Sequence, residues 1–574
     1  MTAKRFGKTM VWLRRAVQIA SVALFCWLFW SARFRDDAGP GPFTNLLFDF
    51  DPLILVATWL SAHAVAGGAL LALITVAVTL VFGRVFCGWF CPLGAIHHFA
   101  GWLDSLSRRK RRKAQPYNRW QHAKYYLLVA LLVMALFGVH WIGVFDPISQ
   151  LYRVTATVLY PGAQYAIEDG STAIYHADPH VGPVYATTVT EPVYKFSRDY
   201  VFVTDRQAFR NSALIALLFM TALLLNLYRR RFWCRYVCPL GGLLGWLSQR
   251  QMLRLTQAHG ACKECGRCAT VCPAGASPEK PGHWRAPECF GCWNCVPSCN
   301  FNAIDFKFAT PFRRPSEAKL DLGKRATLAA GAGGVAALLM FRLEPQAQGR
   351  TYNPGLIRPP GALDEREFLQ RCIQCGLCMK VCPTNGLHPT GFDAGIEGIW
   401  TPKLVPLIGY CEYNCNLCGQ VCPTEALKPM GLKEKQQFKM GMAVFDRTRC
   451  LPWAYDRECM VCEEHCPVAD KAIFFKPAEI TRRDGTKVTL KQPWVDLSKC
   501  TGCGICEAKC VFRDLPAIRV TSANETRHPG NQPVLAGFSG ESYFVNDTPA
   551  QSGSEETTPD PYGTPPESSN NPYG

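Results

Sequence analysis

The sequence predicts a membrane α-helical bundle of four spans plus a fifth, carrying two small α+β domains built around cysteine. Three observations lead there. Long apolar runs recur through the first half of the chain, and 24 of the 29 cysteines fall into six groups of four at near-constant spacing. The excess of positive charge, +17 over 574 residues, lies beside the apolar runs. That placement orients a chain in a bilayer and argues against a nucleic-acid partner. Quartets of cysteine are ligand behaviour, whereas disulfide scaffolds belong to small secreted chains.

The spans follow in order. Lys4, Arg5, Lys8, Arg14 and Arg15 precede an apolar run from Ala16 to Trp30, which reads as a first span or uncleaved anchor with its N-terminus in the cytoplasm. Pro52 to Phe82 is longer than one span needs, returns inward, and leads through a first cysteine motif to the basic loop Ser107–Lys113. Tyr125 to Val144 goes out, the polar stretch from Asp146 to Arg210 forms an external cap, and Leu214 to Leu227 comes back. Cys26, alone in the first span, reads as packing.

Cysteine spacing then defines what the soluble parts hold. Cys262, Cys265, Cys268 and Cys272 are spaced C-x2-C-x2-C-x3-C, and Cys289, Cys292, Cys295 and Cys299 repeat the run. Three thiolates on one tight loop reach three irons of a [4Fe–4S] cluster, and the fourth points to a neighbouring cluster. The pair therefore makes two clusters that exchange fourth ligands, Cys299 completing the first and Cys272 the second. Zinc sites pair two cysteines with two more Cys or His and do not use consecutive quartets.

Two further cysteine pairs sit at the inner ends of apolar runs: C-G-W-F-C-P-L-G from Cys87 to Cys91 and onward, and C-R-Y-V-C-P-L-G from Cys234 through Cys238. The spacing of four puts both thiols of each motif on one helical face. A metal site, a redox dithiol, ligands beside a cluster and buried structural thiols all remain open. His63 and His140 lie near the outer ends of their spans, where an intramembrane ionisable group reads as functional. They are candidates for accepting quinol protons or for holding a b-type haem, against the plain reading of histidines satisfied by helix–helix hydrogen bonds. No C-x-x-C-H occurs, so a c-type haem attachment is missing.

After Thr310, a basic stretch containing Arg313–Arg314 and Lys324–Arg325 leads into the Gly- and Ala-rich run Ala326–Phe341. It is slightly short for a span and resembles the mild hydrophobic region of a twin-arginine export signal. Cys372, Cys375, Cys378 and Cys382 keep the ferredoxin spacing, as do Cys500, Cys503, Cys506 and Cys510. Cys411, Cys415, Cys418 and Cys422 insert one residue in the first gap, and Cys450 stands well ahead of Cys459, Cys462 and Cys466. Six clusters result. From Thr521 onward Ser, Thr, Pro, Asn and Gly dominate, which predicts a disordered tail, with Tyr543, Phe544 or Tyr562 as docking points. The predicted domains are thus 1–258, 259–311, 312–345, 346–520 and 521–574.

These motifs carry a family resemblance. Residues 1–310 resemble NapH/MauN-type membrane ferredoxins: four spans, two C-x3-C-P motifs and a terminal two-cluster domain. Residues 312–520 resemble NapG/MauM-type exported four-cluster ferredoxins, leader included. The two are usually separate subunits, so a fused chain departs from that pattern. The resemblance implies two ferredoxin-like α+β polycluster domains on a multi-pass protein of the bacterial inner membrane, with residues 346–574 in the periplasm. It also implies that outer quartets pair with outer and inner with inner. Cys372, Cys375 and Cys378 would then share a cluster with Cys510, and Cys500, Cys503 and Cys506 with Cys382. Likewise Cys411, Cys415 and Cys418 would take Cys466, and Cys450, Cys459 and Cys462 would take Cys422.

The expected function follows: a membrane-bound electron-transfer subunit of a quinol dehydrogenase complex. It would pass electrons from quinol through [4Fe–4S] clusters to a periplasmic reductase or cytochrome. The alternative is a membrane ferredoxin that matures or reduces the metal centre of a partner enzyme. Nucleotide and flavin fingerprints are absent from the sequence.

Overall fold

The N-terminal apolar run forms one unbroken helix, Ala3–Ser31, in a computed structural model that describes residues 3–33, 39, 41, 43–107, 115–181, 184–202, 206–258, 260–278, 283–310, 320–342, 353–482 and 484–528. Trp12, Ile19 and Trp27 face outward, while Arg14, Gln18, Ser21, Phe25 and Leu28 are buried. Steps of three and four make one helical face. Polar Arg14, Gln18 and Ser21 share the buried face while large apolar side chains face out, unlike a soluble surface helix. The inward groups have partners: Gln18 Nε2 donates to the Gly88 carbonyl at 2.7 Å, and Ser21 Oγ donates to the Phe90 carbonyl. Cys26 is exposed on the outward side and does not pack inside.

The expected bundle of four spans and a fifth is overturned. Among the described residues Ala3–Ser31 is the one helix long and apolar enough to cross a membrane; Pro52–Ala62, Gly67–Phe82 and Ser212–Leu227 are apolar but of 10–17 residues, and a span needs about 20. The runs are longer in sequence than in helix. The run from Pro52 divides at His63, which caps Pro52–Ala62 in the left-handed region at φ 51. The run from Tyr125 is helical only as Ala123–Leu136 and ends in a turn at Gly138, φ 87. Lys324–Arg342 is helical over 19 residues, but its charged ends and many glycines keep it below the same standard. It lies along Ala123–Leu136, where a methyl on Gly334 would stand 2.7 Å from the Ala130 carbonyl, and Phe341 packs edge-on to Trp141 at 4.6 Å. The expected polar cap is also largely helical, through Pro147–Val154, Tyr160–Ala177 and Thr187–Phe196.

The cysteine-rich units sit at opposite ends of this helical block. Strand Leu253–Gln257 pairs antiparallel with Ile304–Phe308, Leu253 opposite Phe308, and so brackets the eight cysteines from Cys262 to Cys299. That unit rests on the first turns of the N-terminal helix: Phe6 meets Trp293 edge-on at 5.4 Å, and Gly7 lies against Val296. Residues 353–528 cap the other end. Ser61 Oγ donates to the Gln370 carbonyl at 2.6 Å, Trp141 Nε1 to that of Ile396 at 3.2 Å, and Lys380 Nζ to that of Ala32 at 3.3 Å. Gly7 and Ala32 mark the two ends on one helix, about 37 Å apart at 1.5 Å per residue.

Within residues 353–528, Leu387–Pro389 pairs with Pro402–Leu404, Met442–Phe445 with Ile518–Thr521, and Ile473–Thr481 with Lys487–Val495 as a long hairpin. The chain stays folded through His528, beyond where the tail was expected to begin: Arg527 Nη1 donates to Glu365 Oε2 at 2.6 Å and Thr526 N to the Lys439 carbonyl at 2.8 Å. The basic residues 108–113, Arg313–Arg314, Tyr543, Phe544 and Tyr562 lie outside the described residues.

A buried carboxylate joins the two-strand unit to the block. Glu288 accepts from Lys124 Nζ, from Tyr125 Oη at 3.0 Å and from Gln121 Nε2 at 3.1 Å, with Arg84 Nη1 at 3.5 Å. All four partners and Glu288 itself are nearly inaccessible to solvent. Glu288→Ala would strand two cations without water, and breaking a buried pair this way costs about 3–5 kcal/mol. The variant should unfold several degrees lower by circular dichroism; an unchanged midpoint would show that the network carries no weight.

Candidate iron–sulfur centres

Five of the six quartets are built the same way; in the set that begins at Cys450, that cysteine caps a separate helix, Leu451–Ala454. Three cysteines lie on a loop that enters a short helix, and the fourth ends that helix. The helices are Arg267–Val271, Cys295–Ser298, Leu377–Lys380, Leu417–Gln420, Val461–Glu464 and Ile505–Lys509. Three of them start after a glycine in the left-handed region, Gly266, Gly376 and Gly504, with φ of 70–84°. Side chains pay steric strain there that glycine does not. The helices pack in twos, first with second, third with fourth and fifth with sixth. A fourth cysteine is thereby carried across to its neighbour's loop.

The thiol groupings follow. Cys272 joins Cys289, Cys292 and Cys295 around one cavity closed by Trp284, Phe290, Trp293 and Phe306. Cys382 joins Cys411, Cys415 and Cys418 around a second. Cys422 lies beside Cys372, Cys375 and Cys378, Cys510 beside Cys450, and Cys466 beside Cys500 and Cys503. This corrects the outer-with-outer pairing. Residues 353–528 are two successive exchanged pairs, in which Cys422 and Cys382 change places, as do Cys510 and Cys466. Cys262, Cys265 and Cys268 enter one helix of the first pair, and Cys299 ends the other.

Among the described residues no three His, Cys, Asp or Glu side chains approach the spacing of a single bound ion. Tetrahedral zinc would hold its thiols about 3.8 Å apart, from Zn–S bonds of about 2.3 Å. Quartets on paired loops suit a four-iron cluster, which spreads its thiolates over four corners. Burial pushes the Cys372 and Cys503 thiols up to about 12, so cluster insertion must displace protons.

The four C-x3-C-P thiols also come together. Cys91 and Cys238 each lie within electrostatic reach of Cys87 and Cys234. The motifs form matching π-turns, Phe86–Phe90 and Trp233–Val237, and Cys91 Sγ and Cys238 Sγ accept from Gly94 N and Gly241 N at 3.4 and 3.3 Å. His63 and His140 differ in setting. His63 is an exposed helix cap, whereas His140 is buried, its Nε2 3.5 Å from Thr58 Oγ1.

Two 4Fe–4S family models match this chain: a 4Fe-4S binding domain at residues 65–114 and again at 212–255, and a 4Fe-4S dicluster domain at 288–387. The methylamine utilization ferredoxin-type protein MauM of Paracoccus denitrificans is 39% identical over 196 residues, 33% of this chain and 83% of the relative. The ferredoxin-type protein NapG of Escherichia coli is 36% identical over 190 residues, 33% of this chain and 80% of the relative. The chain belongs to the MauM/NapG ferredoxin-type family. It is therefore an iron–sulfur electron-transfer protein that binds [4Fe–4S] clusters. The putative electron transport protein YccM of E. coli is 26% identical over 245 residues, 42% of this chain and 54% of the relative. No solved structure matches.

Several residues at these centres escaped the sequence reading. Arg358 holds Glu365 through Nε and Nη2 at 3.1 and 2.5 Å, and Arg527 holds it from the other side. This clamp fixes helix Glu365–Arg371, whose end is Cys372. Arg153 donates to the Gln374 carbonyl at 3.1 Å beside Cys375. Phe-Asp-Pro precedes both halves of the block, at Phe50–Pro52 and Phe145–Pro147, and the carboxyls of Asp51 and Asp146 meet in the buried interior. Its recurrence ahead of each C-x3-C-P was the signal that could have found them.

Two measurements test this geometry. Burial alone would raise Glu365, but the two guanidiniums hold it at about 2, below the ordinary 4.5. Its contribution is complete above about pH 4.5 and lost as pH falls towards 2. Acid titration of stability should show a limb in that window, absent in Glu365→Gln. Second, Cys372→Ser combined with Cys422→Ser should lose about four irons per chain, whereas ligands of separate clusters would lose about eight.

Proposed function

We propose that this chain takes electrons from a membrane quinol and delivers them through six [4Fe–4S] clusters to a periplasmic reductase or cytochrome within a multisubunit complex. The 24 quartet cysteines would hold the six clusters, which when bound supply one-electron storage. The observation that carries this reading is an apolar cavity of about 280 Å³ beside the first quartet of residues 353–528, walled by Trp141, Phe145, Trp233 and Trp400. Pockets for small cofactors are mostly apolar with a few placed polar groups. Here those groups are Gln150 and Arg153, with Gln150 Oε1 and Arg153 Nε buried and unpartnered among the described residues. Exposed Leu214 and Leu218 line the cavity, giving an apolar tail a route from the outside.

Oxidising a quinol releases two electrons and two protons. Arg153 spans the cavity wall to the Cys372–Cys375 loop, its guanidinium over the Trp400 ring at 4.7 Å. The Asp51–Asp146 pair lies next in sequence to Phe145 of the wall, and burial together with the neighbouring acid holds Asp51 well above the usual carboxylate range. Beyond the first quartet the thiol groups form a line. Cys418 lies beside Cys378, and Cys411 beside Cys503, its N–H bonded to the Cys503 carbonyl at 2.8 Å. Cys466 and Cys510 then tie the last two quartets together. The N-terminal helix, with its apolar outward face, supports attachment to the bacterial inner membrane.

The test is anaerobic addition of a short-chain quinol to the protein in nanodiscs, followed by EPR. Quinol should reduce the clusters, and Gln150→Leu should slow that reduction at least tenfold while dithionite still reduces them at the wild-type rate. Clusters that stay oxidised with quinol and an acceptor present would refute the reading.

A further inference from the structure

The gap between the two cysteine-rich units contains a site that neither unit explains. Each 4Fe-4S binding match to the block, residues 65–114 and 212–255, includes two cysteines and no more. A four-iron cluster takes four. The structure supplies them by bringing the two matches face to face, Cys87 and Cys91 from one and Cys234 and Cys238 from the other.

The surroundings are built for an anion. Arg84 and Arg231 each precede the first cysteine of a motif by three residues and are almost fully buried. They cross over. Arg231 Nη1 donates to the Cys87 carbonyl at 3.2 Å, while Arg84 reaches into the other motif, where a methyl on Gly241 would meet Arg84 Nη2 at 2.6 Å and Cys238 Sγ at 3.5 Å. Among the described residues, Arg84 Nε and Nη2 and Arg231 Nε have no hydrogen-bond partner. Glu288 answers part of the charge, pairing with both Arg84 and Lys124. Unpaired buried cations are costly. Four thiolates around a cluster leave a net negative charge at that place, whereas four neutral thiols or two disulfides leave none.

Position points the same way. Both guanidiniums lie over the Phe290 ring, at 5.0 and 4.9 Å, and Phe290 sits between Cys289 and Cys292 of the nearest quartet. Arg14 meets Cys292, and the same helix touches the first motif at Gln18 and Ser21, about 6–10 Å further along its axis. On the far side Trp233, next to Cys234, walls the cavity that Trp400 closes.

We propose that Cys87, Cys91, Cys234 and Cys238 together hold one further [4Fe–4S] cluster, seated between the two halves of the block and charge-balanced by Arg84 and Arg231. The site stands independently of the quinol reading, since it concerns composition and not turnover. The test is iron and acid-labile sulfide per chain in the full-length protein, purified anaerobically. Cys87→Ser with Cys234→Ser should lose about four irons and four sulfides, leaving the remaining cluster signals in place. An unchanged iron content in a folded variant would overturn the site. Because the variant can fail to fold, the wild type gives a second reading. After anaerobic acid quench and alkylation without reductant, all four cysteines should be recovered as alkylated free thiols. Recovery as disulfides would overturn the proposal, as would one zinc or copper per chain lost with the double variant in place of iron.

Discussion

A short loop can present three thiolates to one cluster but not four, because the fourth corner faces away from the loop. Much of this molecule is a response to that limit. A quartet cannot close on itself, so its helix must lie against another quartet's helix and trade a cysteine with it. Arg267–Val271 against Cys295–Ser298, Leu377–Lys380 against Leu417–Gln420, and Val461–Glu464 against Ile505–Lys509 are three solutions of one problem. The strands do the enclosing: Leu253–Gln257 with Ile304–Phe308, and Met442–Phe445 with Ile518–Thr521, bring the chain back to where each pair began. Adjacent exchange also closes the shorter loops, which costs less chain entropy than reaching across a whole domain.

That economy bears on what could be read from the sequence. Spacing is local, so the grouping of the cysteines along the chain was legible in the sequence. The partner of a fourth cysteine is a tertiary fact, and there the resemblance pointed to outer-with-outer pairing while the fold pairs neighbours. The helical block misled for a related reason. Hydropathy counts apolar residues whether or not the backbone continues as helix through them, and His63 in the left-handed region and the turn at Gly138 break two runs that composition alone joins. The polar residues that organise the block, Arg14, Gln18, Glu288 and Lys124, were invisible as a group. They lie on different elements and meet only when those elements pack.

Buried charge ties the ends of the molecule to its middle. Glu288 belongs to the two-strand unit yet satisfies Lys124 and Arg84 of the block, and Arg84 in turn stands beside the C-x3-C-P thiols. At the other end Arg153 belongs to the block yet donates to Gln374 in the first loop of residues 353–528. Hydrophobic contact alone is non-directional and would tolerate sliding at both junctions. A charge that must meet particular oxygens in a dry interface fixes register, since the wrong register leaves a stranded ion at several kcal/mol, on the order of 3–5. For electron transfer, register is distance.

The N-terminal helix sets that distance. It meets one cysteine-rich unit at Gly7 and Arg14 and the other at Ala32, and between them its inward stripe bonds the backbone of the first C-x3-C-P motif at Gly88 and Phe90. From Arg14 to Ala32 is about 27 Å of helix, with the motif contacts four to seven residues above the lower mark. A helix held through Gln18 and Ser21 on its buried face can neither rotate nor slip without breaking those bonds where water cannot replace them. Two halves related by a repeated Phe-Asp-Pro and a repeated Arg-x-x-Cys-x3-Cys-Pro converge at that level. The result is a spacer that holds two cysteine-rich units apart and places four thiols and two guanidiniums between them.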